Sequence, residues 1–185
     1  MNESKAQPVG HYAAFTVDDI EKRHYRAREI MANQDLDALI ISNEENFQYF
    51  TGASGSLALH YSSTRPAVLV FPLVGEPIAI VGAMITDAMG LVTYLKDVRG
   101  YTDVLSFPYK LVVEAILDVS PSATKVGVEL GQEQRMGIPV GDYLSIVNSL
   151  PTIKFDDAAD ILVKLRMVKT PEEIAYIRQA AEITG

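Results

Sequence analysis

Short apolar runs alternate along this chain with longer segments in which apolar residues recur every three or four positions. A short run that is apolar throughout is typical of a strand buried on both faces, whereas the three-and-four spacing is typical of a helix that buries one face. The sequence therefore predicts an α/β fold, a central sheet with helices on both faces. The predicted strands are 37–42, 66–71, 77–81, 98–101, 125–129 and 152–155, and the predicted helices between them are 84–91, 108–119 and 139–150.

Two of the predicted strands, 66–71 and 77–81, are separated by a short connection that contains Gly75 and Glu76. Such a connection joins antiparallel neighbours, because a parallel pair needs a crossover of a dozen or more residues. The sheet is therefore predicted to be mixed rather than wholly parallel.

The first predicted helix begins with a cap signature, in which Thr16 is followed three residues later by Asp19. Its apolar stripe at helical spacing consists of Ile20, His24, Ala27 and Met31. A histidine in such a stripe is more often a packed or hydrogen-bonded ring than a metal ligand, so we expect His24 to be structural.

The end of the chain carries a second and stronger cap signature. Thr170 is a favourable N-cap, Pro171 suits the first helical position, and Glu173 completes a capping box. The helix that begins here has few residues left to pack on before Gly185, so we expect Gly185 to be an internal position of a longer protein. The predicted organisation is a polar leader at 1–15, a domain at 16–165, and at 166–185 a linker with the first helix of a following domain.

Composition excludes several classes of function. The net charge is -8 and the isoelectric point is about 4.8, which argues against a nucleic-acid partner because phosphate binding needs a basic face. No apolar run approaches the roughly 20 residues needed to span a bilayer. The chain has no cysteine, and its first ten residues do not resemble a secretion signal. These observations predict a cytoplasmic protein with no membrane partner.

Local motifs for catalysis or metal binding are absent from the sequence. The three histidines, at positions 11, 24 and 60, form no pair at metal-ligand spacing. Ser56 stands where a nucleophile elbow needs its second glycine, and the glycines at 127, 131, 137 and 141 do not form a dinucleotide fingerprint. Adjacent acidic pairs are interpreted as caps and solvated turns. We therefore predict no catalytic residue and no metal ligand within this chain.

The segment 46–52 follows the first buried strand and is unusually aromatic. Asn46 and Gly52 bracket Phe47, Tyr49 and Phe50. We interpret Asn46 as satisfying the backbone of a turn while the rings fill the core.

A set of ordered motifs resembles a known family. The motifs are Leu36 to Ile41; Asn46, Tyr49, Phe50, Thr51 and Gly52; Arg65 with Pro66; Val126 to Glu129; Leu150 with Pro151; and Leu165, Arg166 and Lys169 to Ile174. Their order and spacing resemble the N-terminal domain of the creatinase, prolidase (Xaa-Pro dipeptidase) and aminopeptidase P family, over residues 16–185. The resemblance implies a mixed, six-stranded sheet flanked by helices, followed by a catalytic "pita-bread" domain that holds the metals.

The family resemblance also implies what this chain does and lacks. It would be the non-catalytic half of a metal-dependent hydrolase, giving dimer contacts and one side of the substrate cleft. Two divalent metal ions, which would be manganese, cobalt or zinc, are expected in the missing catalytic domain, and the partners are that domain and a second copy of the protein. Three residues in one stretch could contact the substrate of the neighbouring subunit: His60, Tyr61 and Arg65.

Several alternatives remain open from the sequence. Arg65 could be an ordinary surface or interface arginine. The parent could be a creatinase-like amidinohydrolase rather than an Xaa-Pro peptidase, which we prefer because peptidases are the broader class. The chain could also be a free-standing binding or scaffold module, since fold does not dictate function, or part of a pseudoenzyme that lacks the metal ligands.

Overall fold

A six-stranded sheet of mixed direction forms the centre of the molecule in the computed structural model, which describes residues 15–53, 65–103 and 105–184. The strand order is β4-β3-β2-β1-β5-β6, so that β1 lies near the middle. The strands are β1 (Ala38–Ile41), β2 (Val68–Pro72), β3 (Ile78–Gly82), β4 (Asp97–Tyr101), β5 (Lys125–Val128) and β6 (Lys154–Asp157). Each predicted strand is confirmed to within two residues of its bounds.

Strand direction changes on either side of β2. The hairpin of β2 and β3 is antiparallel, as its short connection predicts, and β2 is also antiparallel to β1. The other neighbours, β3 with β4, β1 with β5, and β5 with β6, are parallel. The mixed α/β fold class is therefore confirmed.

Helices cover both faces of the sheet, and alternate residues of β1 face opposite layers. The helices are α1 (Val17–Ala32), α2 (Glu44–Thr51), α3 (Thr86–Val92), α4 (Tyr109–Val119), α5 (Val140–Ser149), α6 (Ala159–Met167) and α7 (Pro171–Thr184). Leu39 and Ile41 pack in the same cluster as side chains from α1, α2, α3 and α6, whereas Ala38 and Ile40 pack with side chains from α4 and α5.

Helix α1 begins as its sequence predicts. The Thr16 hydroxyl accepts a hydrogen bond from the Asp19 amide at 3.3 Å, and the Asp19 carboxylate accepts one from the Thr16 amide at 2.9 Å. The predicted stripe is buried at Ile20, Ala27 and Met31. The capping box and the apolar stripe together account for the position and orientation of α1.

Helix α2 corrects the interpretation of segment 46–52 as a turn. The N-cap is Asn43, whose side chain accepts hydrogen bonds from the Glu45 and Asn46 amides at 3.0 and 3.2 Å. The helix ends at Gly52, which has a φ of 72°, a left-handed conformation that favours glycine. Asn46 therefore lies inside a helix and does not satisfy a turn, although the aromatic side chains do fill the core as predicted.

Helix α6 is a second helix that the sequence analysis does not predict. It begins directly after β6, and Ile161, Leu162 and Leu165 are buried against the α1 and α2 side of the sheet. The helical layer on this side therefore includes a segment close to the end of the chain.

Helix α7 begins with the predicted capping box. The Thr170 amide donates to Glu173 Oε2 at 2.9 Å, and the Glu173 amide donates to the Thr170 hydroxyl at 3.2 Å. No residue of α7 is buried, and Ile177 and Ile183 are exposed. Among the described residues, no helix is both long enough and apolar enough to cross a membrane.

Candidate functional site

The carboxyl ends of β1 and β5 meet at a buried carboxylate. Glu129 directly follows β5 and is only 2% exposed. Its Oε2 accepts hydrogen bonds from the Ser42 amide at 2.7 Å, the Asn43 amide at 2.8 Å and the Ser42 hydroxyl at 3.0 Å, while its Oε1 accepts one from Asn46 Nδ2 at 2.8 Å. Because β1 and β5 are parallel neighbours, one side chain at the end of β5 reaches the whole β1–α2 connection.

Asn46 connects this carboxylate to two further segments. Its Nδ2 also donates to Gln134 Oε1 at 2.7 Å, and its Oδ1 accepts from a guanidinium nitrogen of Arg166 at 3.0 Å. An amide offers two donors and an acceptor, so one buried side chain can bind three partners at once. The β5–α5 connection, α2 and α6 are thus joined through Asn46.

Close packing completes this polar cluster. The Gly137 amide donates to the Ser42 hydroxyl at 2.9 Å. A Cβ at Gly137 would lie 2.5 Å from the Ser42 carbonyl oxygen, which is shorter than any allowed contact. Glycine is therefore needed where the 130–139 connection passes over the end of β1.

The electrostatics of Glu129 favour a positioning role. Burial raises the pKa of Glu129 above its ordinary value, and the hydrogen bonds from Asn46, Ser42 and Asn43 oppose that shift. Both carboxylate oxygens already accept hydrogen bonds from the protein, and the group is withdrawn from solvent. The arrangement is suited to holding three segments together rather than to moving a proton on a bound molecule.

The sequence alone does not reveal this cluster. It places Glu129 at the end of the predicted strand 125–129 and within the family motif, and it assigns Asn46 to a turn. The available signal is a glutamate at the end of a buried strand, because sheet packing withdraws that position from water and the carboxylate then needs hydrogen-bond donors.

The residues predicted to contact substrate are only partly described by the structure. His60 and Tyr61 lie outside the described residues. Arg65 is exposed, and one guanidinium nitrogen lies 3.6 Å from the Met84 sulfur. The structure therefore describes only one of the three predicted residues, and their role stays a prediction.

Arg65 borders an open cleft of about 400 Å³ at the edge of the sheet. The cleft also contains Tyr101, whose hydroxyl donates to the Pro66 carbonyl at 3.0 Å and whose pKa is raised by burial. Asp103 and Asp142 contribute carboxyl groups, and the hydrogen bond from the Ser106 hydroxyl lowers the pKa of Asp103. An open surface with one guanidinium and two carboxylates can bind a small molecule that carries both a negative and a positive group.

His24 is packed, as predicted. Its Nε2 lies 2.7 Å from the Phe50 carbonyl oxygen, and its ring meets the Phe71 ring edge-on with centroids 4.8 Å apart. Within residues 15–53, 65–103 and 105–184, no group of three or more histidine, cysteine, aspartate or glutamate side chains could hold a metal ion.

Burial of His24 predicts a pH dependence of stability. Burial lowers the pKa of His24 below its ordinary value near 6.5, so the unfolded chain takes up this proton at a higher pH than the folded one. Stability should therefore fall as the pH drops below about 6.5, with a slope of at most about 1.4 kcal/mol per pH unit. Glu129 has a raised pKa and contributes in the opposite sense, since its share of stability is lost as the pH rises.

Urea unfolding between pH 5 and 8 gives the free energy of unfolding as a function of pH. The contribution of His24 is the difference in slope between the original protein and His24→Gln. The glutamine can still donate to the Phe50 carbonyl but does not titrate, so the variant should lose this part of the slope. An unchanged slope in the variant would rule out His24 as its source.

Comparisons with known proteins agree with this α/β architecture. A prolidase from Thermococcus sibiricus superposes with a TM-score of 0.72 at 21% identity, covering 90% of this chain and 42% of that one. A proline dipeptidase structure from Streptococcus pneumoniae gives a TM-score of 0.63 at 18% identity, covering 79% of this chain and 98% of that one. The structure thus has the fold of the N-terminal domain of prolidases and aminopeptidases P.

The chain belongs to the creatinase/prolidase N-terminal domain family, whose model matches residues 23–168. Two curated relatives are similar over 92% of this chain: an uncharacterised hydrolase/peptidase of Sinorhizobium fredii, at 29% identity, and the ectoine hydrolase of Halomonas elongata, at 27%. The chain spans only 43% of the length of each relative. Its family resemblance is therefore confirmed, and its coverage fits the N-terminal part of a hydrolase.

Proposed function

We propose that this chain is the non-catalytic N-terminal domain of a metal-dependent hydrolase that cleaves Xaa-Pro peptides. The observation that carries the proposal is the family match over residues 23–168, together with relatives that are hydrolases of more than twice this length. Its task would be to form contacts between two copies of the protein and one side of the substrate cleft. We further propose a cytoplasmic location, without nucleic-acid or membrane partners.

The chemistry is assigned to the domain that follows. Two divalent ions, manganese, cobalt or zinc, would supply Lewis-acid activation of the scissile amide and of the attacking water. The described residues of this chain do not offer a set of side chains that fits such ions, so we expect their ligands in that domain. This chain's own contribution is to position that domain and to border the cleft.

Ectoine hydrolysis is the second candidate, because the ectoine hydrolase of Halomonas elongata is similar over most of this chain. A creatinase-like amidinohydrolase and a free-standing scaffold are further alternatives. A reading frame that continues beyond Gly185 for roughly 200 residues with acidic and histidine ligands would exclude the scaffold, since a separate catalytic domain has about that size.

The substrate class is tested with the full-length gene product, purified and loaded with manganese or cobalt. An Xaa-Pro dipeptide, creatine and ectoine are assayed in parallel at equal concentrations. We expect turnover of the dipeptide alone. Turnover of ectoine or creatine without any Xaa-Pro cleavage would overturn the peptidase assignment in favour of the corresponding alternative.

Substitution of Arg65 tests whether this chain contributes to substrate binding. If its guanidinium binds a substrate carboxylate, Arg65→Met should lower kcat/KM of the full-length enzyme about 10- to 100-fold, the equivalent of one lost charged hydrogen bond of about 1.5–3 kcal/mol. In steady-state kinetics, most of this fall in kcat/KM should come from a rise in KM rather than from a lower kcat. The matched control is Arg99→Met, since Arg99 is already paired with Asp97 and Asp118. Equal kinetics for both variants would make Arg65 an ordinary surface arginine.

A further inference from the structure

A buried arginine lies between the α1–α2 layer and the first turn of α7. Arg23 is 3% exposed. One terminal nitrogen of its guanidinium donates to the Tyr49 carbonyl at 2.9 Å, and the other donates to Glu173 Oε1 at 2.8 Å. The guanidinium carbon lies 3.9 Å from the centroid of the Phe15 ring and 4.5 Å from that of Tyr49. The guanidinium is therefore held by two hydrogen bonds and by contacts with two aromatic rings.

The same carboxylate starts α7 and binds Arg23. Glu173 Oε2 accepts the Thr170 amide in the capping box, while Oε1 accepts from Arg23. Both partners of the ion pair are largely withdrawn from solvent, with side-chain exposures of 4% and 11%. A movement of the first turn of α7 away from α1 would separate this buried charge pair.

The junction before α7 has few other restraints. The end of α6 is held to the body, because the Leu165 carbonyl accepts from the Tyr49 hydroxyl at 3.2 Å and Arg166 binds Asn46. Residues 167–169 are then exposed, and α7 itself buries no residue. The one ring contact that α7 makes with other described residues joins Tyr176 to Phe15, and Phe15 is itself stacked on Arg23.

We infer that Arg23 is a positioning residue that fixes the direction in which α7 leaves this domain, and with it the orientation of α7 relative to the sheet. Nε of Arg23 has no hydrogen-bond partner in the described part of the chain, so the polar link from Arg23 to α7 passes through Glu173 alone. The inference does not depend on the reaction proposed above, because it concerns the geometry of this chain.

The absence of cysteine from the sequence allows a direct distance measurement. Spin labels are placed at Glu114→Cys on α4 and Gln179→Cys on α7, both exposed positions, and the distribution of distances between them is measured by pulsed electron paramagnetic resonance on the 185-residue chain. The test variant is Arg23→Met. The matched control is Lys22→Met, which removes a neighbouring charge whose pair with Asp18 is exposed.

The labelled protein and Lys22→Met should give one narrow distribution, whereas Arg23→Met should roughly double its width, because α7 then loses its main polar link to the body. Near-ultraviolet circular dichroism establishes that the body remains folded. Glu173→Gln, on a helix without buried residues, serves as a second variant and should broaden the distribution in the same direction. A broad distribution before substitution, or a narrow one in a folded Arg23→Met or in Glu173→Gln, would overturn the inference.

Discussion

Replacement of Glu129 by alanine is expected to lower the free energy of unfolding by about 3–5 kcal/mol. Alanine removes the acceptor of four hydrogen bonds and leaves the amides of Ser42 and Asn43, the Ser42 hydroxyl and Asn46 Nδ2 without that partner. Because Glu129 is buried, water cannot readily replace it. Urea denaturation followed by far-ultraviolet circular dichroism measures the change.

Two controls separate the causes of this loss. Glu129→Gln keeps the size of the side chain and one carbonyl oxygen. It should cost about 1–2 kcal/mol, because its amide nitrogen is a donor and would face the Asn46 Nδ2 donor where the carboxylate places an acceptor. Glu114→Ala, an exposed change in α4, should stay within about 0.5 kcal/mol of the original protein. A loss below about 1 kcal/mol for Glu129→Ala would contradict the structural role assigned to the cluster.

Replacement of Phe50 by alanine is expected to cost a similar 3–5 kcal/mol, by loss of apolar burial and by the cavity that remains. Phe50 is 1% exposed, and its ring lies edge-on to Phe71 with centroids 4.9 Å apart and stacks on His24 at 6.1 Å. The side chain therefore joins α2 to both α1 and the sheet. Chemical denaturation again measures the difference.

The comparison for Phe50 is an exposed apolar residue. Leu105 is 95% exposed, so Leu105→Ala should change stability by less than about 0.5 kcal/mol. Phe50→Leu should cost less than alanine, because it leaves a smaller cavity. If Phe50→Ala were no more costly than Leu105→Ala, the packing of α2 described above would be wrong.

Strands β1, β2 and β3 could be predicted from the sequence because they are short, wholly apolar runs that can be recognised locally, and the helices between the remaining strands indicated the rest of the sheet. Helices α2 and α6 could not, for different reasons. Helix α2 has only eight residues, too few for a helical period, and its aromatic content resembles a packed turn. Helix α6 has only nine residues, and its burial depends on the sheet face supplied by other segments.

The polar cluster shows a further limit of sequence reasoning. Glu129 meets Ser42, Asn43 and Asn46 only because β1 and β5 are neighbours, although more than 80 residues separate them in sequence. Arg166 reaches Asn46 only through the packing of α6. The family could be identified from ordered motifs, but the partners of its buried charges follow from topology. The role of Arg65 in substrate binding stays a prediction.

We propose that the reactive part of the hydrolase lies outside these 185 residues. The most direct measurement compares the chain and the full-length protein for metal content, by mass spectrometry after dialysis, and for hydrolysis of an Xaa-Pro dipeptide. The full-length protein should bind about two divalent ions and hydrolyse the dipeptide, whereas the 185-residue chain should do neither. Stoichiometric, tightly bound metal together with turnover by the 185-residue chain would contradict it.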